Sequence, residues 1–245
     1  MFQIKKRVIC LSLVLLICFT ISSQVLSNDK ITKEMDHFIY TYYRNNEPID
    51  DINKILESNY NKILNKYGVN INRKINIEIF PSVDDFQKEY NLTNYSAGIV
   101  GTAVNSRKIG IVSPLNPGPV HSYDSILKIA VHEFVHVSTN IINTNIPIWL
   151  NEGISLFEAK QINPVHIKKL IKADKIPSIS KLESNFYNNF GYAVSGTIVD
   201  YIVSDYSYER LVNLIKRPND IKTVFGMKKS EFSSNWKSFV IKKYE

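Results

Sequence analysis

The hydrophobic pattern changes period several times along the chain. Ile31, Met35, Phe38, Ile39 and Tyr42 recur at helical spacing, so residues 30–45 read as an amphipathic helix. Pro48 interrupts it. Ile52, Ile55, Leu56, Ile63 and Leu64 mark a second helix, opened by Asp50 or Asp51 and stopped by Gly68. Ile75, Ile77 and Ile79 then alternate with Asn76, Glu78 and Phe80, which predicts a strand with one buried face. Ser82 can cap a short helix running to Tyr90. Residues 98–104 and 108–112 are β-branched runs on either side of Asn105-Ser106-Arg107, a hairpin or two neighbouring strands. Pro114, Pro117, Gly118 and Pro119 make a loop. Beyond it the pattern is helical to the end, with helices near 123–141, 147–161, 163–173, 190–205, 207–216 and 229–243. Early strands and late helices predict an α+β domain with a small sheet packed on a helical half.

The first residues belong to a different class. Lys5, Lys6 and Arg7 precede an almost wholly apolar run over residues 8–21. Ser22, Ser23 and Gln24 follow, and then Val25-Leu26-Ser27. A basic end, an apolar stretch and a small residue at the cut form the order of a secretory signal, with cleavage after Ser27. An uncleaved membrane anchor is the alternative, since residues 8–26 are just long enough to span a bilayer. Both cysteines, Cys10 and Cys18, lie in this segment. Its removal would leave no disulfide, no cysteine metal site and no thiol nucleophile. The expected organisation is therefore a signal over 1–27, an N-terminal helical region over 28–72 and the main domain over 73–245, secreted or anchored outside the cytoplasm.

Composition adds limits. Of 245 residues, 44% are hydrophobic and 22% charged, the mix of a globular protein. The formal charge is +7, but the first 27 residues hold three bases and no acid, which leaves +4 for the remainder. Such a surplus, with no dense Lys/Arg stripe, argues against nucleic acid as a partner.

Candidate chemistry sits in His132-Glu133-Phe134-Val135-His136. Four residues are about one helical turn, so both histidines project from one face. Two neutral imidazoles so placed can bind one Zn²⁺ at ~2.0–2.1 Å. Glu133 stands at the edge of that face, where it can reach a water on the metal without ligating the metal itself. Ile129, Val131, Phe134, Val135 and Val137 make this helix apolar nearly all round, so its polar residues need partners inside the fold. A catalytic zinc usually takes three protein ligands. Pro147-Ile148-Trp149-Leu150-Asn151-Glu152-Gly153 opens the next helix and offers Glu152, with fifteen residues between it and His136.

The pattern of His132, Glu133 and His136 followed by Pro147-x-Trp149-Leu150-x-Glu152-Gly153 resembles the gluzincin zinc peptidases, and most closely the bacterial peptidase MA-like group. Ile176-Pro177-Ser178, Gly191-Tyr192-Ala193 with Tyr201, Ile202 and Tyr206, and Glu231-Phe232 with Trp236 and Phe239 resemble that group's later helices. The resemblance covers roughly 75–245. It implies a zincin-like fold, with His132, His136 and Glu152 as ligands of one Zn²⁺ and Glu133 as the general base. The implied substrate is a peptide or protein. Tyr192 is the candidate to support the oxyanion, with His121 and His166 as rivals. No exopeptidase motif of the family is evident, which favours an endopeptidase. Two features depart from better-known members: the short gap before Glu152, and Leu156 where an acidic residue orients a histidine in thermolysin-like enzymes. Ser155 or Glu158 is available in its place. A zincin-shaped module that binds a cell-surface partner without catalysis is the other reading.

Overall fold

The computed structural model describes residues 30–92 and 98–245. The expected signal or anchor segment and both cysteines lie outside the described residues. Five strands form one mixed sheet in the order β1-β2-β3-β5-β4: β1 (Ile31–Glu34), β2 (Phe38–Tyr42), β3 (Ile75–Phe80), β4 (Gly101–Asn105) and β5 (Lys108–Val112). β2, β3 and β5 run parallel, while β1 and β4 pair antiparallel at the two edges. The fold is α+β and zincin-like, as expected.

The helix expected over residues 30–45 is not formed. These residues make the β1–β2 hairpin instead. Phe38, Tyr40 and Tyr42 also satisfy a period of two, and the segment is rich in Ile, Thr, Phe and Tyr, which suit a pleated surface. Phe38 pairs with Ile75 and Tyr40 with Ile77 on β3, and both aromatic rings are fully buried. Pairing across the sheet outweighs the local helical match. Among the described residues, the N-terminal region expected over 28–72 is thus helical only in α1 (Ile49–Tyr67), and the sheet continues across residue 72. α1 ends as expected, with Gly68 in the left-handed conformation at φ 61°.

Ser82 caps α2 (Val83–Glu89) through the Asp85 N–H. α3 (Tyr123–Ile142) opens with a reciprocal cap between Ser122 and Ser125 and is buried on nearly every side over residues 130–139. Phe134 anchors it, stacking on Tyr60 of α1 at 5.5 Å and meeting Phe38 of β2 edge-on at 5.9 Å. At 100° per residue, that contact turns His132 and His136 away from the sheet core.

α4 (Ile148–Glu158) begins with Pro147 at its N-cap. α5 (Pro164–Lys172), α6 (Ile179–Ser184), α7 (Gly191–Asp205), α8 (Tyr208–Lys216), α9 (Ile221–Phe225) and α10 (Lys229–Tyr244) complete the helical half. α6 and α9 are too short to leave a periodic signal. α4 and α7 lie against one another at Gly153, where an added Cβ would stand 2.7 Å from the Ser195 carbonyl oxygen. Trp236 of α10 donates from Nε1 to Thr197 Oγ1 of α7 at 3.0 Å. α10 therefore braces α7, and α7 braces the helix that bears Glu152. Among the described residues no helix is long and apolar enough to cross a membrane.

Candidate metal centre

α3 and α4 bring three ligand atoms together. His132 Nε2 and His136 Nε2 lie 3.0 Å apart. Glu152 sets one oxygen 3.3 Å from His132 Nε2 and the other 3.6 Å from His136 Nε2. Two ligand atoms that share a tetrahedral ion at ~2.0–2.1 Å would be about 3.3 Å apart, so these separations fit one ion without rearrangement. His132, His136 and Glu152 are the one such group among the described residues, with their ligand atoms all within 4.8 Å of one another. Two imidazoles and a carboxylate form a donor set that suits a divalent transition metal.

Electrostatics sets the two carboxylates apart. Burial raises the Glu133 pKa to about 7, and the charge of Glu152 adds to this. For Glu152 burial pushes the same way, but its hydrogen bond to His132 and the charges of both histidines reverse it and hold the group ionised. Burial also opposes protonation of His132, yet the hydrogen bond it donates to Glu152 and the charges of Glu133 and Glu152 outweigh that and raise its pKa. Burial and the neighbouring His132 lower His136 to about 4.

The centre opens into a cleft of about 960 Å³. Its far wall is residues 98–103, which include the first half of the edge strand β4. Tyr187 and Tyr192 form its lip, both half or more exposed and each edge-on to Phe186. Burial and the charge of Glu152 hold the Tyr192 phenol well above its ordinary pKa, so it keeps its proton. Tyr192 lies in the first turn of α7, as expected.

A family model described as the peptidase MA superfamily matches residues 57–242. The chain belongs to the peptidase MA superfamily. Peptidase MA proteins are peptidases and generally depend on a metal, and the resemblance to gluzincin-type enzymes read from the motifs is borne out at that level. The family match begins within α1 and runs to the last turn of α10, so it takes in every helix of the metal centre. A search of curated proteins finds no match.

All five residues singled out in the sequence, His132, Glu133, His136, Glu152 and Tyr192, line this one cleft of the peptidase MA fold. His121 lines it too, with Nε2 2.9 Å from the Gly98 carbonyl oxygen. His166 is exposed on α5 and takes no part in the lining. Of the two candidates for orienting a histidine, Ser155 lies with Oγ 3.1 Å from His136 Nδ1. Glu158 is turned elsewhere and accepts from Lys66 Nζ at 2.7 Å and Tyr67 OH at 3.0 Å. Gln161, whose Oε1 lies 2.8 Å from His132 Nδ1, escaped the sequence reading. It follows the end of a helix, and no local pattern announces which way such a residue turns.

Proposed function

We propose that this chain is an exported zinc-dependent endopeptidase. The observation that carries the proposal is the convergence of His132 and His136 of α3 with Glu152 of α4 within 4.8 Å, beside buried Glu133 on the turn that bears the two histidines. A Zn²⁺ ion held by these three side chains would supply a Lewis acid for the scissile carbonyl and acidify the attacking water. Glu133, with its pKa raised to about 7, is poised to take a proton near neutral pH and pass it to the leaving amine. Glu152 stays ionised and serves as a ligand. Tyr192 keeps its phenolic proton and can donate it in a hydrogen bond to the developing oxyanion.

The cleft supports a peptide substrate. β4 is an edge strand, so an extended chain can add beside it through main-chain hydrogen bonds. Among the described residues no lysine or arginine lines the cleft to pair with a terminal carboxylate. Both acids in the lining, Glu133 and Glu152, already have roles, which leaves none to hold a free amino terminus. This favours cleavage within a chain. Export rests on the order of basic, apolar and small residues over 1–27, with an anchor over 8–26 as the variant of the same reading.

The test is metal analysis of the purified chain together with cleavage of a peptide library by wild type and Glu133→Gln. The expected result is one zinc per chain in both proteins and cleavage by wild type alone. Zinc without any Glu133-dependent cleavage would instead support a zincin-like binding module.

A further inference from the structure

α4 gives the metal centre more than Glu152. Ser155 stands almost one turn further along and meets His136 Nδ1. The helix ends at Glu158, and Lys160 adopts φ 55°, the left-handed conformation of many helix C-termini. The Gln161 N–H closes that turn on the Leu156 carbonyl at 2.8 Å. The reversal carries Gln161 back to the site, where its Oε1 lies 2.8 Å from His132 Nδ1. An amide oxygen only accepts, so a neutral His132 carries its proton on Nδ1 and turns a bare Nε2 lone pair towards His136 and Glu152.

Both imidazoles are therefore backed by uncharged groups, an amide and a hydroxyl. A carboxylate in either place would make its ring more basic and bind metal more tightly, whereas an amide orients the ring without adding charge. Glu158, the nearest acid in sequence to these partners, is occupied by Lys66 and Tyr67.

We propose that Gln161 is a positioning residue that fixes the tautomer and direction of His132 for the ion, and that its neutrality holds metal affinity below that of a carboxylate-backed site. This rests on the reading of His132 as a metal ligand. It follows from the chain reversal at Lys160, which sets Gln161 Oε1 2.8 Å from His132 Nδ1.

The experiment is a Zn²⁺ titration of the full chain against a chromophoric chelator, paired with the visible spectrum of the Co²⁺ form. Gln161→Ala should bind about 10–100-fold more weakly than wild type. Gln161→Glu, nearly isosteric, should bind more tightly than wild type. The Co²⁺ spectrum should change in Gln161→Ala and be retained in Gln161→Glu. A residue that merely props the helix end would move thermal stability in both variants and leave these opposite shifts absent. Equal affinity in all three proteins would overturn the positioning role alone, leaving the metal site intact. A folded wild type that binds no ion would bring down the reading of the site as well.

Discussion

Gly101 of β4 lies directly on Glu133 of α3. A Cβ added to Gly101 would stand 2.9 Å from Glu133 Oε1 and 2.5 Å from Ile129 Cγ2. Two residues along, the Ala103 backbone faces the Glu133 carboxylate and partly offsets the rise in its pKa. The edge strand and the proposed base thus form one unit, and a peptide pairing with β4 would be registered against the carboxylate that acts on it.

Gly101→Ala should turn the Glu133 carboxylate aside or push β4 away from α3. A displacement of about 1 Å at a reacting group can lower turnover by about 10²-fold. We expect kcat to fall by at least about tenfold while zinc content stays at the wild-type level. Steady-state kinetics with metal analysis reads both, and full activity in this variant would show that the contact does not register the base.

Glu152→Ala removes the one carboxylate among the three converging groups. Zinc affinity should drop by more than the ~10–100-fold of a lost outer partner. Elemental analysis after dialysis against a weak chelator measures this. Undiminished zinc in the variant would remove Glu152 from the ligand set.

Tyr192→Phe tests the lip of the cleft. Loss of an oxyanion donor typically lowers kcat by about 10²–10³-fold. The expected pattern is a fall of that order with little change in KM or zinc content. A drop confined to KM would assign the ring to substrate packing instead.

Gly153→Ala probes the seam between α4 and α7. The new Cβ would meet the Ser195 carbonyl oxygen at 2.7 Å, and a backbone atom cannot turn aside as a side chain can. Overpacking of this kind costs about 1–3 kcal/mol. Denaturant unfolding should show a loss in that range.

Glu78 gives stability a pH dependence remote from the metal centre. It is buried on β3 and pairs with Lys30 at 2.9 Å and Lys108 at 2.6 Å. Burial pushes its pKa up, but the hydrogen bonds and charges of the two lysines more than reverse this and hold it below 4.5. The unfolded chain then binds the proton more readily than the folded one, so the contribution is complete above pH 4.5 and fades as pH falls through the lower, folded value. Glu78→Gln should therefore be less stable than wild type at neutral pH, and the gap should close in acid. Urea unfolding at a series of pH values checks it, and a gap that does not vary with pH would exclude this linkage.

Local chemistry was legible wherever it depended on neighbours in the chain. The spacing of His132 and His136 places two imidazoles on one helical face, because helical periodicity needs no information from elsewhere. Ser82 and Gly68 mark helix ends for the same reason. The strand at Ile75 to Phe80 declares itself through strict alternation. The pattern of residues 30–45 satisfies both the helical and the strand period. Only the presence of β3 alongside selects the strand.

By itself, then, the sequence determined an α+β chain with two histidines and a glutamate on one buried turn, and it pointed to Glu152 on the helix that follows. Tertiary structure decided how close these groups come, and that burial and a second carboxylate would push Glu133 to about 7. It also decided that Gln161 returns to His132 and that Gly101 rests on Glu133. Such relationships join residues far apart in the chain through pairing, chain reversal and close packing, and the energies that select them exist only once the separate elements have met.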